Sequence, residues 1–334
     1  MSKKYINRGD RSTKEGFGEG LLAAGSRITG NHGSREKKQP HEVIAIGADI
    51  TASVGIDHFA RQFPRQFVSL GIAEQNCIGV AAGLALEGKI PVFATYGVFA
   101  ALRTTDQIRV SVCYNNLHVV IGGAHAGLSV GPDGATHQAM EDLAVMRVLP
   151  NMTVISPCDA TQTNIATRHA IHSVKGPVYI RFGRASMPDF TNGNQSFEVG
   201  KGQLLHPGNA LTIIATGHLV WEALQAGYHL SEEGIRARVI NIHTLKPIDR
   251  EIIVKAARET GAIITAEEHQ VTGGLGGAVA EVLACEHPVP MRFIGMPDRF
   301  GESGEPRELM KKYGLTAMEI IRASKEIITL KSKS

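Results

Sequence analysis

"PVFATYGVFA", residues 91–100, is apolar almost without interruption. It lacks the alternation of a strand with one wet face, and its Val, Phe, Thr and Tyr suit extended backbone, so it reads as a strand covered on both sides. Runs of the same kind recur in both directions. Before it stands "EVIAIGADI"; after it come "HVVIGGA", "MTVISPC", "PVYIRFG", "LTIIATG", "RARVINIH", "GAIITAEEH" and "MRFIGM". The intervals are long enough for helices. Strands buried on both faces and separated by helices make parallel sheets, so the fold class is α/β and doubly wound. Ligands in such sheets sit beyond the carboxyl ends of the strands, which directs attention to the loops that follow them.

Length and composition bound the rest. With 334 residues, 43% of them hydrophobic and 20% charged, the chain is expected to form two globular domains. Between Phe182 and Asn209 the rhythm breaks into "GRASMPDFTNGNQSFEVGKG", polar and rich in turn residues. The division expected is a first domain over 1–188, a linker over 189–208 and a second domain over 209–334. The formal charge of +3 is spread out, with short basic runs at Arg35-Glu36-Lys37-Lys38 and in the Lys-rich tail, and aromatics are sparse. Nucleic acid is therefore not an expected partner. Cys77, Cys113, Cys158 and Cys285 are far apart and form no Cys-x-x-Cys, which fits free thiols in a reducing compartment rather than a zinc site. No apolar leader or membrane-length segment is visible, so a cytoplasmic protein without membrane association is expected.

Two stretches carry candidate chemistry. "GLSVGPDGATHQAMEDL", residues 127–143, contains a Gly-x-Ser-x-Gly pattern, yet a nucleophile elbow needs a helix to leave the serine at once. Here Gly131-Pro132-Asp133-Gly134 intervenes and the helix is not expected before about Thr136. That disfavours a hydrolase and leaves either a plain surface turn or a ligand loop in which glycines bring backbone close to a bound molecule. "LGIAEQNCIGVAAGLALEGK" predicts a helix from Ile72 to Leu86, with Gly79, Ala82 and Gly83 forming a small-residue face for another helix. Glu74 opens it. Such a carboxyl is either a first-turn acid stabilised by the helix dipole or a buried group kept as a hydrogen-bond donor.

The order and spacing of several motifs resemble the pyrimidine-binding half of the transketolase family. They are Phe67-x-x-Leu70-Gly71-Ile72-Ala73-Glu74-Gln75-Asn76; Pro91-Val92 with Tyr96 and Phe99; Asp106-Gln107; Gly131-Pro132-Asp133-Gly134-x-Thr136-His137-Gln138; Pro150-Asn151-Met152; and Pro157-Cys158-Asp159. The resemblance runs from about residue 10 to 325 and takes in the family's C-terminal domain. It implies thiamine diphosphate as cofactor, with Glu74 as the carboxyl hydrogen-bonded to the aminopyrimidine and Phe99 as the ring stacked on it. Tyr96 is a supporting candidate beside them, or a core residue. On the substrate side it implies Asp133 for a hydroxyl, His137 for the ketose oxygens and proton transfer, and His125 and Arg184 for the phosphate. For His125 a purely structural hydrogen bond is the alternative.

The family holds the diphosphate through Mg2+ bound by a Gly-Asp-Gly motif, as hard oxygen chemistry requires, and this chain has no Gly-Asp-Gly. The resemblance therefore implies one subunit of a split transketolase. No metal ligand is expected on this chain, a separate subunit should carry the motif, and self-association through the pyrimidine domain should give two copies of each chain. The implied activity is transfer of a two-carbon ketol unit from a ketose phosphate to an aldose. A deoxyxylulose-phosphate-synthase-like enzyme, a 2-oxoacid dehydrogenase β-like subunit and a non-catalytic assembly partner are the alternatives. "EEHQVTGGLGGAVAEVL" offers a Gly-rich turn before a helix, either an anion cradle or a plain tight turn. His118, His169 and His172 have no ligand spacing and are given no role.

Overall fold

The computed structural model describes residues 4–26, 42–193 and 195–331. The basic run at residues 35–38 and the end of the Lys-rich tail lie outside the described residues. The strands are β1 (Asp10–Ser12), β2 (Val43–Gly47), β3 (Phe67–Ser69), β4 (Ile90–Tyr96), β5 (Val120–Ala124), β6 (Thr153–Ile155), β7 (Val178–Arg181), β8 (Ser186–Pro188), β9 (Gln203–His206), β10 (Leu211–Ala215), β11 (Ala237–Asn241), β12 (Thr244–Lys246), β13 (Ile263–Gln270) and β14 (Met291–Met296). A seven-stranded sheet has the order β12-β6-β7-β5-β4-β2-β3 and a five-stranded sheet the order β14-β13-β10-β11-β9. All neighbours are parallel except β12 on β6 and β9 on β11, which are antiparallel edges. Strands β1 and β8 form a separate antiparallel ribbon.

Every apolar run singled out in the sequence contains all or most of a strand of one of the two large sheets, although the run 91–100 leaves its strand after Tyr96 and turns helical. The reason is visible in β4. Val92 belongs to a core cluster with Phe17, Leu21 and Ile165, whereas its neighbour Phe93 belongs to one with Ile78, Ala81, Leu143 and Met146. Both faces are buried, so neither parity of the strand is free to be polar. The second of these clusters continues through Leu149 and Val154 to Ile214, Ile240, Leu275 and Val279, and thereby joins the two sheets.

Two sequence expectations need correction. The helix expected from Ile72 begins at Glu74, because Gly71 takes φ +69° and Ala73 is non-helical, leaving Ile72 74% exposed. The helix expected near Thr136 begins at Asp142. Ala139 is held by a bridge to Ala126, by the Gly127 N–H at 3.0 Å and by Arg181 Nη2 at 3.0 Å, so the preceding segment cannot coil. The 183–209 region carries the short strands β8 and β9 and buries Phe190 and Phe197.

Asp142 is fully buried and accepts from Arg181 Nε at 3.0 Å and from the Tyr179 hydroxyl at 2.8 Å. Arg181 also donates Nη2 to the backbone oxygens of Ala139 and Glu268. Removing the carboxylate leaves a buried guanidinium without its counter-charge, so Asp142→Ala is expected to lower unfolding free energy by about 3–5 kcal/mol. Denaturant titration checks this, and a loss under about 1 kcal/mol would show that the pair does not hold the sheet to the loop.

Candidate active site

Loops at the carboxyl ends of β3, β4, β5 and β7 bring the candidate residues together, as the parallel topology requires. Glu74 follows β3 and is 3% exposed, with its carboxyl turned inward. Phe99 follows β4 on a widened helical turn, Phe99–Arg103, which sets Arg103 back over its ring. The Arg103 guanidinium carbon lies 4.1 Å from the Phe99 ring centroid, and Nη1 donates to Glu74 Oε2 at 2.9 Å. In this arrangement Oε2 of Glu74 accepts from Arg103. A planar, cationic N–H donor thus rests against both residues. This bears on fit, because an aminopyrimidine is also planar: its ring nitrogen, once protonated, would donate to one carboxylate while its face lay on one ring.

Three further rings meet beside this pair. Tyr96 stacks on His125 with centroids 4.3 Å apart, and His137 stands edge-on to Tyr96 at 5.6 Å and to Phe99 at 5.5 Å. Tyr96 is half-buried: it joins this ring cluster and also packs against the core cluster of Phe17 and Val92. His137 is fixed by its own backbone N–H to Gly134 O at 3.0 Å, and its Nδ1 lies 2.9 Å from Thr136 Oγ1.

His125 is 3% exposed, sits at φ +51°, and donates Nε2–H to Ser53 O at 3.0 Å. Burial, reinforced by the charge of Arg184, pushes its pKa down to about 4. At neutral pH it is therefore an uncharged imidazole whose Nδ1 is a buried acceptor with no hydrogen-bond donor among the described residues. That suits a ligand hydroxyl better than an anion. Asp133 accepts from Arg184 Nη1 at 3.0 Å, and its other oxygen lies 4.0 Å from His125 Nδ1. Arg184 is thus the exposed cation of the group.

The structure adds residues that the sequence did not single out. Ser53 holds the His125 tautomer, and Arg103 bridges Glu74 and Phe99. Lys14, half-buried, donates its backbone N–H to Gly183 O at 3.2 Å beside Arg184 and adds to the positive field on His125. No local signal marks any of them, since each acts across the chain.

Other readings are resolved by burial. Ser129 is fully buried, which no nucleophile elbow allows. The turn after "EEHQ" is filled by its own acid: Glu267 accepts from the Leu275 and Gly276 N–H groups at 2.7 and 2.8 Å, leaving no anion cradle there. His118 is tied to Gly176 O and Ile171 O. Among the described residues no cluster of three or more His, Cys, Asp or Glu could hold a metal ion, no disulfide joins the cysteines, and no helix is long and apolar enough to cross a membrane. On the helix Glu74–Leu86, Ala82 is buried whereas Gly79 and Gly83 are exposed with open space around them. The small-residue face is therefore narrower than expected, but it is exposed among the described residues.

Residues 28–189 match the transketolase pyrimidine-binding domain and residues 200–320 the transketolase C-terminal domain. The chain is 43% identical over 290 residues to a 6-deoxy-6-sulfo-D-fructose transketolase subunit of Clostridium sp. (strain MSTE9), covering 87% of this chain and 90% of that one. It is 42% identical over 292 residues to an apulose-4-phosphate transketolase subunit of Phocaeicola vulgatus, covering 87% and 93%. It is also 40% identical over 298 residues to 1-deoxy-D-xylulose-5-phosphate synthase 1 of Geobacter sulfurreducens, where it spans 88% of this chain and 46% of that enzyme. Among solved structures, a split gene transketolase described as an inactive beta4 tetramer superposes with a TM-score of 0.85 at 45% identity, covering 97% of this chain and all of that one.

Proposed function

This chain belongs to the transketolase family, and we propose that it is the pyrimidine-binding subunit of a two-chain, thiamine-diphosphate-dependent transketolase that transfers a two-carbon ketol unit from a ketose phosphate to an aldose. The observation that carries this reading is the convergence of Glu74 and Phe99 with His137, Asp133, His125 and Arg184 at one set of strand ends.

When bound, thiamine diphosphate supplies the carbon nucleophile and electron sink that ketol transfer needs. Glu74 holds the aminopyrimidine at its ring nitrogen and shares a proton there, Phe99 offers its ring face, and Tyr96 backs the His125 side of the pocket. To hold the ring nitrogen, Glu74 would exchange its bond to Arg103 for one to the cofactor. His137 binds the ketose oxygens and moves a proton, Asp133 accepts from a sugar hydroxyl, His125 Nδ1 accepts from another, and Arg184 grips the phosphate. Mg2+ and the diphosphate are held by a separate polypeptide that carries Gly-Asp-Gly. The exposed Gly79 and Gly83, flanked by Ile72 and Leu86 at 74% and 71% exposure, form the face on which a second copy packs, giving two copies of each chain. In this reading residues 1–188 form the pyrimidine domain, 189–208 the linker and 209–334 the C-terminal domain, and the free cysteines fit a cytoplasmic setting.

The likeness to deoxyxylulose-phosphate synthase supports a second reading, with pyruvate as donor. Product analysis on the chain reconstituted with its partner separates the two. Ketose phosphate should be consumed and its two-carbon unit should appear in the product; consumption of pyruvate alone would overturn the proposal.

A further inference from the structure

The second half of the chain reaches the substrate loop through a buried carboxylate. Glu268, on β13, is 3% exposed, and its Oε1 accepts the Ser129 N–H at 2.5 Å. Its Oε2 lies 3.4 Å from His218 Nδ1, and its backbone oxygen accepts Arg181 Nη2 at 2.8 Å. Gly127 takes φ +88° directly against this carboxylate, so closely that a Cβ there would overlap it. Burial opposes the charge, but His218, Arg181 and the Ser129 N–H hold the Glu268 carboxyl below the usual carboxylate range.

The far end of the same loop is held from the same side. Gln138 Nε2 donates to Leu128 O at 3.2 Å and to Glu302 O at 2.9 Å. Gly134, at φ +74°, lies against Ser303, and Gly131 lies against Gly304 and Pro306. Between these two clamps stand Asp133 and His137, whose side chains pair with Arg184 and with Thr136 in the first half.

We propose that Glu268 is a positioning residue: its carboxylate fixes the register of the 127–138 loop and thereby sets Asp133 and His137 for substrate, without touching either. The inference rests on the transketolase reading for its kinetic consequence and on the geometry alone for its effect on the loop. Glu74 and Phe99 are carried by the segments after β3 and β4, so loss of the clamp acts on substrate recognition more than on the cofactor contacts, even though His137 stands edge-on to Phe99.

The test uses Glu268→Gln and Glu268→Ala in the full chain assembled with its partner. In Glu268→Ala the KM for the ketose phosphate donor should rise about tenfold, the size of one lost hydrogen bond to a charged group, while thiamine diphosphate affinity stays within about twofold of wild type. Glu268→Gln should recover part of this, since its carbonyl oxygen can still accept the Ser129 N–H. Hydrogen exchange should quicken about tenfold over residues 127–138 in Glu268→Ala and remain unchanged in the helix Glu74–Leu86. An unchanged KM, unaltered exchange in the loop, or cofactor affinity falling in step with KM would overturn the proposal; the last result would mark Glu268 as merely structural. If the wild-type pair does not consume ketose phosphate, the functional reading fails, and the exchange experiment still decides the role of Glu268. If Glu268→Ala does not fold, the same comparisons are made on Glu268→Gln, with smaller changes of the same sign expected.

Discussion

Replacing Glu74 by Gln in the assembled enzyme is expected to lower turnover about a thousandfold, within the range that a positioned proton-transfer group contributes. Glutamine keeps the volume and an acceptor oxygen, so the helix Glu74–Leu86 and its packing should survive. It cannot share an ionisable proton with a ring nitrogen. At 3% exposure there is little room for water to substitute. The side chain points toward Arg103 and Phe99, away from the exposed Gly79 and Gly83, so assembly should be unaffected. Turnover and sedimentation measured on the same preparation check both halves of the expectation. Near-normal turnover with normal assembly would instead favour the reading in which the chain is a non-catalytic scaffold.

The second large effect concerns the cofactor. Titration calorimetry of thiamine diphosphate with Mg2+ should show tight binding to the mixture with the Gly-Asp-Gly subunit and binding weaker by at least about a hundredfold to this chain alone. The reason is chemical. Most of the attraction for a diphosphate comes from charge-assisted and metal interactions, and the absence of two of these already weakens binding about a hundredfold. On this chain the expected grip is one carboxyl and one ring, and Arg103 already occupies both. Equal affinity with and without the partner would show that this chain carries the whole cofactor site. No binding in either case would leave the family likeness as likeness of fold.

Much of the architecture could be read directly from the residues. Continuous apolar runs such as Val43–Gly47 and Ile90–Tyr96 announce strands because burial on both faces leaves no position free to be polar. Within the seven-stranded sheet the three-residue strands β3, β6 and β12 differ in how far they could be read. β6 lies inside a longer apolar run, whereas β3 and β12 are edges whose pairing depends on a distant neighbour, and β9 even exposes Leu204 at 55%. That Thr244–Lys246 would leave the second half to complete the first sheet has no local sign at all.

The candidate site divides in the same way. Motif order in the sequence named Glu74, Tyr96, Phe99, His125, Asp133, His137 and Arg184, all of which lie at one set of loops. Composition and periodicity also determined the α/β class and the positions of the principal strands, because these depend on which residues must avoid water and at what spacing. Only the tertiary structure decided that Glu74 meets Arg103, 29 positions away, and that Ser129 is held by Glu268, 139 positions away. It also decided that His125 is neutral and that the loop stays uncoiled until Asp142. Hydrophobic period is a local property, written residue by residue. Hydrogen-bond partnership, desolvation and the field at an imidazole depend on which distant segments the two sheets bring together, and no stretch of sequence contains them.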